Sequence, residues 1–201
     1  VEEGEVVGFV GQNGAGKSTT IKALLGLVPV DGGSAQVLGV PSESLAQPSG
    51  SRTKEQIGVV FDTVSFPEHL KVAEVGRILS TAYAGWEPHR FERYLREFGL
   101  DGGKRVKELS RGMGMKLNMA CALSHGARLL VLDEATAGLD PMARDEVLDI
   151  LRDFVGEPGH GILMSSHITS DLERIADRIV CIDGGKILSS ASELLEVNTK
   201  A

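Results

Sequence analysis

The 201 residues predict an α/β fold, a mostly parallel sheet flanked by helices, and three observations carry that expectation. Short apolar runs alternate with helix-length amphipathic stretches, the pattern left by parallel strands joined through helical crossovers. One run, Leu129-Leu130-Val131-Leu132, is apolar at every position, as a central strand covered on both faces requires. A glycine-rich stretch from Gly11 to Gly16 follows an apolar run and opens a helix, which sets a tight loop at a strand's carboxyl end.

Glu5–Val10, Ile57–Phe61, Leu129–Leu132, Ile162–Ser165 and Ile179–Ile182 read as the strands. The segment from Pro41 to Lys54 is rich in Ser, Pro and Gln and reads as a surface loop. From Pro67 to Ala127 strand signals vanish and helical periodicity takes over, broken at Gly85-Trp86-Glu87-Pro88 and Leu100-Asp101-Gly102-Gly103. The expected organisation is therefore a discontinuous core, 1–66 and 128–201, with a helical subdomain inserted at 67–127. Asp140-Pro141 is a helix start, Asp as N-cap and Pro at the first helical position, and the helix should reach about Phe154. Asp183-Gly184-Gly185 divides two apolar runs as a hairpin turn does.

Composition excludes several classes. A chain with 42% hydrophobic and 24% charged residues is an ordinary globular domain, not a disordered or collagen-like one. No stretch approaches the roughly 18 consecutive apolar residues of a membrane span, so contact with a membrane is expected to run through a partner. A net charge of -7 argues against a nucleic-acid surface, which needs clustered Lys and Arg. Cys121 and Cys181 sit in apolar segments without metal or redox spacing and read as buried, reduced thiols, in keeping with the cytoplasm.

Gly11-Gln12-Asn13-Gly14-Ala15-Gly16-Lys17-Ser18 matches the phosphate-binding pattern G-x-x-x-x-G-K-[ST] in full, in the strand-loop-helix context that gives it meaning. Glycines let the backbone wrap closely enough for successive N–H groups, from Gly11 through Asn13, Gly14, Ala15 and Gly16 to Thr19, to meet phosphate oxygens at the positive end of the helix. Lys17 adds a point charge for the outer phosphates, and the Ser18 hydroxyl can ligate Mg²⁺. A P-loop NTPase core is the expectation, to be decided by later residues. By itself the cradle says only phosphate.

Two carboxylates end the apolar run before Ala135. Asp133 can hold Mg²⁺ through its water shell, and Glu134, one residue on, can act as general base on the water that attacks a γ-phosphate. Without the cradle, such an acidic pair would read as a solvated turn.

Leu109-Ser110-Arg111-Gly112-Met113, shortly before the acidic strand, resembles the signature of ABC transporter ATPases, usually LSGGQ. Ala135-Thr136-Ala137-Gly138-Leu139-Asp140 resembles that family's D-loop, and His167, after the Ile162–Ser165 run, stands where its switch histidine belongs. Five motifs in family order cover nearly the whole chain. The resemblance implies ATP as substrate, Mg²⁺ as cofactor, and Lys17, Glu134 and His167 as catalytic residues. It also implies that Ser110 and Gly112 act in trans, on ATP held by the opposite subunit of a homodimer or heterodimer. An integral membrane subunit would be the further partner, with the chain peripheral on the inner face of the membrane. Gly26-Leu27-Val28-Pro29, the signature and the short insertion resemble bacterial export subunits in particular.

Some features depart from the family. Arg111 and Met113 replace the usual Gly and Gln, and Met113 reads as a core residue beside Leu117. Asp62 follows the Ile57–Phe61 strand where a glutamine is usual, and as a carboxylate it is a candidate Mg²⁺ ligand with Ser18 and Asp133. No adenine-stacking aromatic precedes the cradle except Phe9, which reads as core. The opening Val1-Glu2-Glu3-Gly4-Glu5 looks like a turn between strands, so a fragment lacking its first strands is expected. Two readings of other classes stand beside the transporter: a soluble ABC ATPase acting on ribosomes or DNA, and a nucleotide-binding regulatory module that scarcely hydrolyses.

Overall fold

The computed structural model describes residues 1–191; the last part of the expected core segment, 192–201, lies outside the described residues. The main elements in chain order are β1 (Val6–Val10), α1 (Lys17–Leu24), β2 (Gln36–Val37), β3 (Val40–Pro41), α2 (Ser42–Leu45), α3 (Ser51–Lys54) and β4 (Ile57–Val60). Next come the helices α4 (Val72–Ala82), α5 (Pro88–Glu97) and α6 (Arg111–Ala122). The chain then returns through β5 (Leu129–Asp133), α7 (Pro141–Gly156), β6 (Gly161–Ser166), α8 (Thr169–Ile175), β7 (Arg178–Asp183) and β8 (Lys186–Ala191).

The six-stranded sheet runs β4-β5-β6-β1-β7-β8, parallel throughout except for β8, which pairs antiparallel with β7. Continuous apolarity in β5 has the expected cause. Leu130 and Leu132, fully buried, join the cluster under α6 and α7, while Val131 joins Ile21 and Leu25 of the α1 side on the opposite face. At the β7–β8 turn, Gly184 and Gly185 both have positive φ, 51° and 77°, which the tight two-residue hairpin demands.

Helix α7 begins as its sequence requires, with Asp140 Oδ1 accepting the Ala143 N–H at 3.1 Å and Pro141 at the first position. It continues to Gly156. Helix α6 is capped likewise by Ser110, whose Oγ accepts from Met113 N at 3.3 Å. Its inward face places Leu117 and Met115 in the core, with Met113 partly buried against it.

The segment from Pro41 to Lys54 corrects the reading as an irregular loop. It forms α2, a 3₁₀ turn at Pro48–Gly50, and α3. Leu45, 1% exposed, packs with Ile21 and Leu25, and this single apolar anchor is hidden among Ser, Pro and Gln in the sequence. The two cysteines are free, and only Cys121 is buried; Cys181 is half-buried.

Candidate functional site

Between β1 and α1 the chain turns back on itself tightly enough that glycine is required. A Cβ on Gly11 would collide with the Ile182 carbonyl oxygen, and Gly16, the residue before α1, has φ of 110°. The β7–β8 hairpin braces this loop from outside, with Gly185 N–H donating to Ala15 O at 2.9 Å. Asn13, Gly14 and Thr19 are exposed, Gly16 and Ser18 partly so, and Ala15 is buried with Phe9 and Ile182. Phe9 is thus core, as expected. Lys17 is 5% exposed and folds over the loop, its Nζ donating to Gly11 O at 2.6 Å and Gln12 O at 3.3 Å. A cleft of about 600 Å³ opens beside the first part of the loop, its lining including Gly11, Gln12, Asn13, His167 and Asp183.

Strand β5 delivers the two carboxylates to the same edge. Asp133 is buried, and its Oδ1 accepts the Ser165 hydroxyl at 2.6 Å. Glu134 has φ of 55°, a left-handed conformation that costs a side-chain-bearing residue about 1–3 kcal/mol and persists only where the surroundings impose it. Here Ser165 imposes it, since the Glu134 N–H meets both Ser165 Oγ at 3.1 Å and Ser165 O at 3.2 Å.

That backbone aims the Glu134 carboxylate at both other predicted catalytic residues. Its Oε2 lies 2.6 Å from His167 Nδ1, and its Oε1 lies 3.3 Å from Lys17 Nζ. Lys17 sits at ion-pair distance without hydrogen-bond alignment, so Glu134 Oε1 is buried with no donor. A buried acceptor left free in this way is costly unless a further donor enters. The His167 side chain, 47% exposed, lines the cleft and has its Nδ1 committed to Glu134.

Three predicted residues stay apart from this constellation. Among the described residues no hydrogen bond or ion pair joins Ser110 or Gly112 to the loop 11–19. Ser110 is exposed, and Gly112 packs near Leu139 and Gly138 of the stretch after Glu134. Arg111, in the signature, lies across Gly138. Asp62 is exposed just beyond β4, the strand beside β5.

Ser165 is the residue that sequence reasoning missed. It read only as the end of an apolar run, and the register Asp133↔Ser165 between β5 and β6 is what makes it a ligand of both carboxylate-bearing residues. No spacing in the linear chain announces a cross-strand neighbour 32 residues away.

Residues 1–137 match a family described as ABC transporter. The chain belongs to the ABC transporter family. It is an ATP-binding, ATPase domain of that family, with the α/β architecture of its solved members. Across 94% of its length it superposes on the ATP binding subunit of an ABC transporter with a TM-score of 0.85 and 31% identity, covering 79% of that chain. It is 35% identical over 195 residues to the Nod factor export ATP-binding protein I of Rhizobium etli, covering 94% of this chain and 60% of that one. It is equally 35% identical over 196 residues to ATP-binding cassette sub-family A member 7 of mouse, covering 96% of this chain and 9% of that protein. The ABC domain described here thus spans between about a tenth and three fifths of the length of these two curated relatives.

Proposed function

We propose that Lys17, Glu134 and His167 carry Mg²⁺-dependent ATP hydrolysis in this ABC domain, and that the reaction powers transport through a membrane-spanning subunit. The carrying observation is the contact of Glu134 with both Lys17 and His167 at the mouth of the cradle, with Glu134 Oε1 lacking a donor. A water seated there would donate to Oε1. Glu134 would take its proton as the water oxygen bonds to the γ-phosphorus and the bond to the bridging oxygen of ADP breaks. Lys17 would offset charge on the transferred phosphoryl oxygens, and His167 would orient the carboxylate through Nδ1 and keep Nε2 free for a phosphate oxygen.

The donor set suits Mg²⁺. Ser18 and Asp133 offer hard oxygens, and Asp62 is a third candidate at the same sheet edge. No group of three or more His, Cys, Asp or Glu that could hold a metal occurs among the described residues. Mg²⁺ bound by so few side chains takes its remaining ligands from nucleotide phosphates and water, as it does in such sites, and there it neutralises phosphate charge.

Ser110 and Gly112 support action in trans, because they are presented at the start of α6 and, among the described residues, have no hydrogen bond to the chain's own cradle. Two copies, or this chain and a related one, would then enclose two nucleotides. The helical segment 67–127, as a subdomain between 1–66 and the rest of the core, would meet the membrane partner. No described helix is long and apolar enough to cross a membrane, which fits a peripheral place on the inner face. Export is the direction favoured by the likeness to a Nod factor export ATP-binding protein.

Single-turnover hydrolysis by the intact protein tests this reading, with Glu134→Gln and His167→Ala beside the wild type. The expectation is a loss of about 10²–10⁴-fold in rate for Glu134→Gln with ATP binding retained. Equal rates would refute the assignment of the base. Co-purification with an integral membrane protein is expected; recovery with ribosomes or DNA would sink the transport reading.

A further inference from the structure

The two segments that meet at the Glu134–His167 contact meet a second time, deeper in the protein. Two residues after Glu134, the Thr136 hydroxyl donates to Asp171 Oδ2 at 2.7 Å. Asp171 lies four residues after His167, in the first turn of α8. Both partners are buried, Thr136 fully and Asp171 at 2% exposure. A carboxylate is rarely so buried without a paired charge. Its counter-charge is Arg144 of α7, with Nε 3.7 Å from Asp171 Oδ2.

Arg144 reaches further. Its guanidinium also donates to the Leu139 carbonyl at 3.4 Å, in the same loop that runs from Glu134 to the cap of α7. The Arg144 Nε is itself buried and has no hydrogen bond. The loop 134–140 is thus held at Thr136 and Leu139 by a carboxylate and a guanidinium that face each other. At the other end of Asp171 lies the chain that carries His167. Backbone N–H groups keep that connection short, Asp171 N–H donating to the Ile168 carbonyl at 3.2 Å and Ile168 N–H to the Ser166 hydroxyl at 3.0 Å.

We infer that Asp171 is a positioning residue for hydrolysis: with Thr136 and Arg144 it fixes the separation between the segment bearing Glu134 and the segment bearing His167. This rests on the assignment of Glu134 and His167 to the reaction. The geometric reason is that the Glu134 bonds to Ser165 and His167 hold the two segments only where they leave the sheet, and the chain beyond can pivot about them. A further, buried contact between Thr136 and Asp171 removes that freedom. Glu134 sits in a strained backbone conformation, and such a conformation needs more than one restraint to persist. Asp171 touches none of the reacting groups.

The test uses the intact protein and four variants. Thr136→Val keeps the volume and removes the hydroxyl. Thr136→Ser keeps the hydroxyl, Asp171→Asn removes the charge, and Thr136→Val/Asp171→Asn closes a mutant cycle. For Thr136→Val and Asp171→Asn, kcat is expected to fall about tenfold or more, within the roughly hundredfold that a 1 Å misplacement costs, with KM for ATP nearly unchanged. Thr136→Ser should restore most of kcat, and the double variant should lose little more than either single one. The His167 ring signals in NMR, assigned with His167→Gln, should shift in Thr136→Val and Asp171→Asn but not in Lys54→Ala on the distant helix α3. Unmoved ring signals, or a lowered Tm with kcat intact, would overturn the inference. Moved ring signals in a protein whose wild type hydrolyses no faster than Glu134→Gln would leave the geometry standing and refute the catalytic assignment instead. Variants that do not fold would be replaced by Arg144→Lys, which keeps a charge but cannot span Asp171 and Leu139 at once, and the same split between kcat and KM is expected.

Discussion

Ser165 Oγ donates to Asp133 Oδ1 at 2.6 Å and in the same place accepts the Glu134 N–H at 3.1 Å. One buried hydroxyl thereby orients the side chain of the first carboxylate and the backbone of the second. Ser165→Ala would leave Asp133 buried without that donor, which should cost about 1.5–3 kcal/mol, the worth of a hydrogen bond to a charged group. Denaturant unfolding checks the stability. A Mg²⁺ titration of the hydrolysis rate checks the site, and a severalfold higher half-saturating concentration is expected. Unaltered Mg²⁺ dependence would mean that Ser165 does not orient Asp133 for the metal.

Asp62 is exposed beyond β4 and takes part in no ion pair among the described residues. As a carboxylate in reach of the sheet's carboxyl edge, it should make hydrolysis depend more tightly on Mg²⁺ than an amide would. Asp62→Gln is expected to loosen that dependence and to change the ATPase rate while leaving Tm within about 1 °C, since an exposed side chain carries little stability. Identical rates and identical Mg²⁺ curves would remove Asp62 from the metal set.

His125 is 4% exposed, stacks on Tyr83 with ring centroids 4.3 Å apart, and has Nδ1 3.0 Å from Glu55 O. Burial pushes its imidazole below the ordinary histidine range. The unfolded chain therefore binds this proton more readily than the folded one. Stability from the neutral ring is complete above the unfolded value of about 6.5 and is lost as pH falls below it. Unfolding free energy should decline from roughly pH 7 to pH 5, and His125→Phe should flatten that decline. A His125→Phe profile parallel to the wild type would assign the slope to other groups.

Burial also pushes the Cys121 thiol up, far from forming a thiolate, whereas Cys181 is half-buried and lines the cleft beside Gln12 and Asn13. A maleimide should modify Cys181 well before Cys121. ATP should slow the Cys181 reaction if the nucleotide occupies that cleft. Mass spectrometry of labelled peptides, with and without ATP, reads both effects.

Much of this was legible in the linear chain because it is local. The cradle works through consecutive backbone groups, so Gly11 to Thr19 specify it by residue type alone. Leu129–Leu132 announces a strand covered on both faces, and Asp140-Pro141 announces the start of a helix, since each signal and its structural consequence lie within one element. The helical turns of Pro41 to Lys54 are not legible in the chain for the complementary reason. Its polar composition is local, but the burial of Leu45 against Ile21 and Leu25 is not.

Which strand ends face each other depends on pairing across the sheet, and residue spacing does not encode that pairing. The order β5-β6-β1 brings Glu134, His167 and Lys17 together from positions up to 150 residues apart, counted from 17 to 167. The partnerships of Ser165 with Asp133 and of Thr136 with Asp171 likewise exist only once β5 and β6 lie side by side and α8 packs on β6 and β1. Residue type and local spacing were enough to specify the α/β class, the phosphate cradle and the candidate residues. Which of them touch follows from the folded arrangement, because register and burial set those distances, and neither is a property of any short stretch of chain.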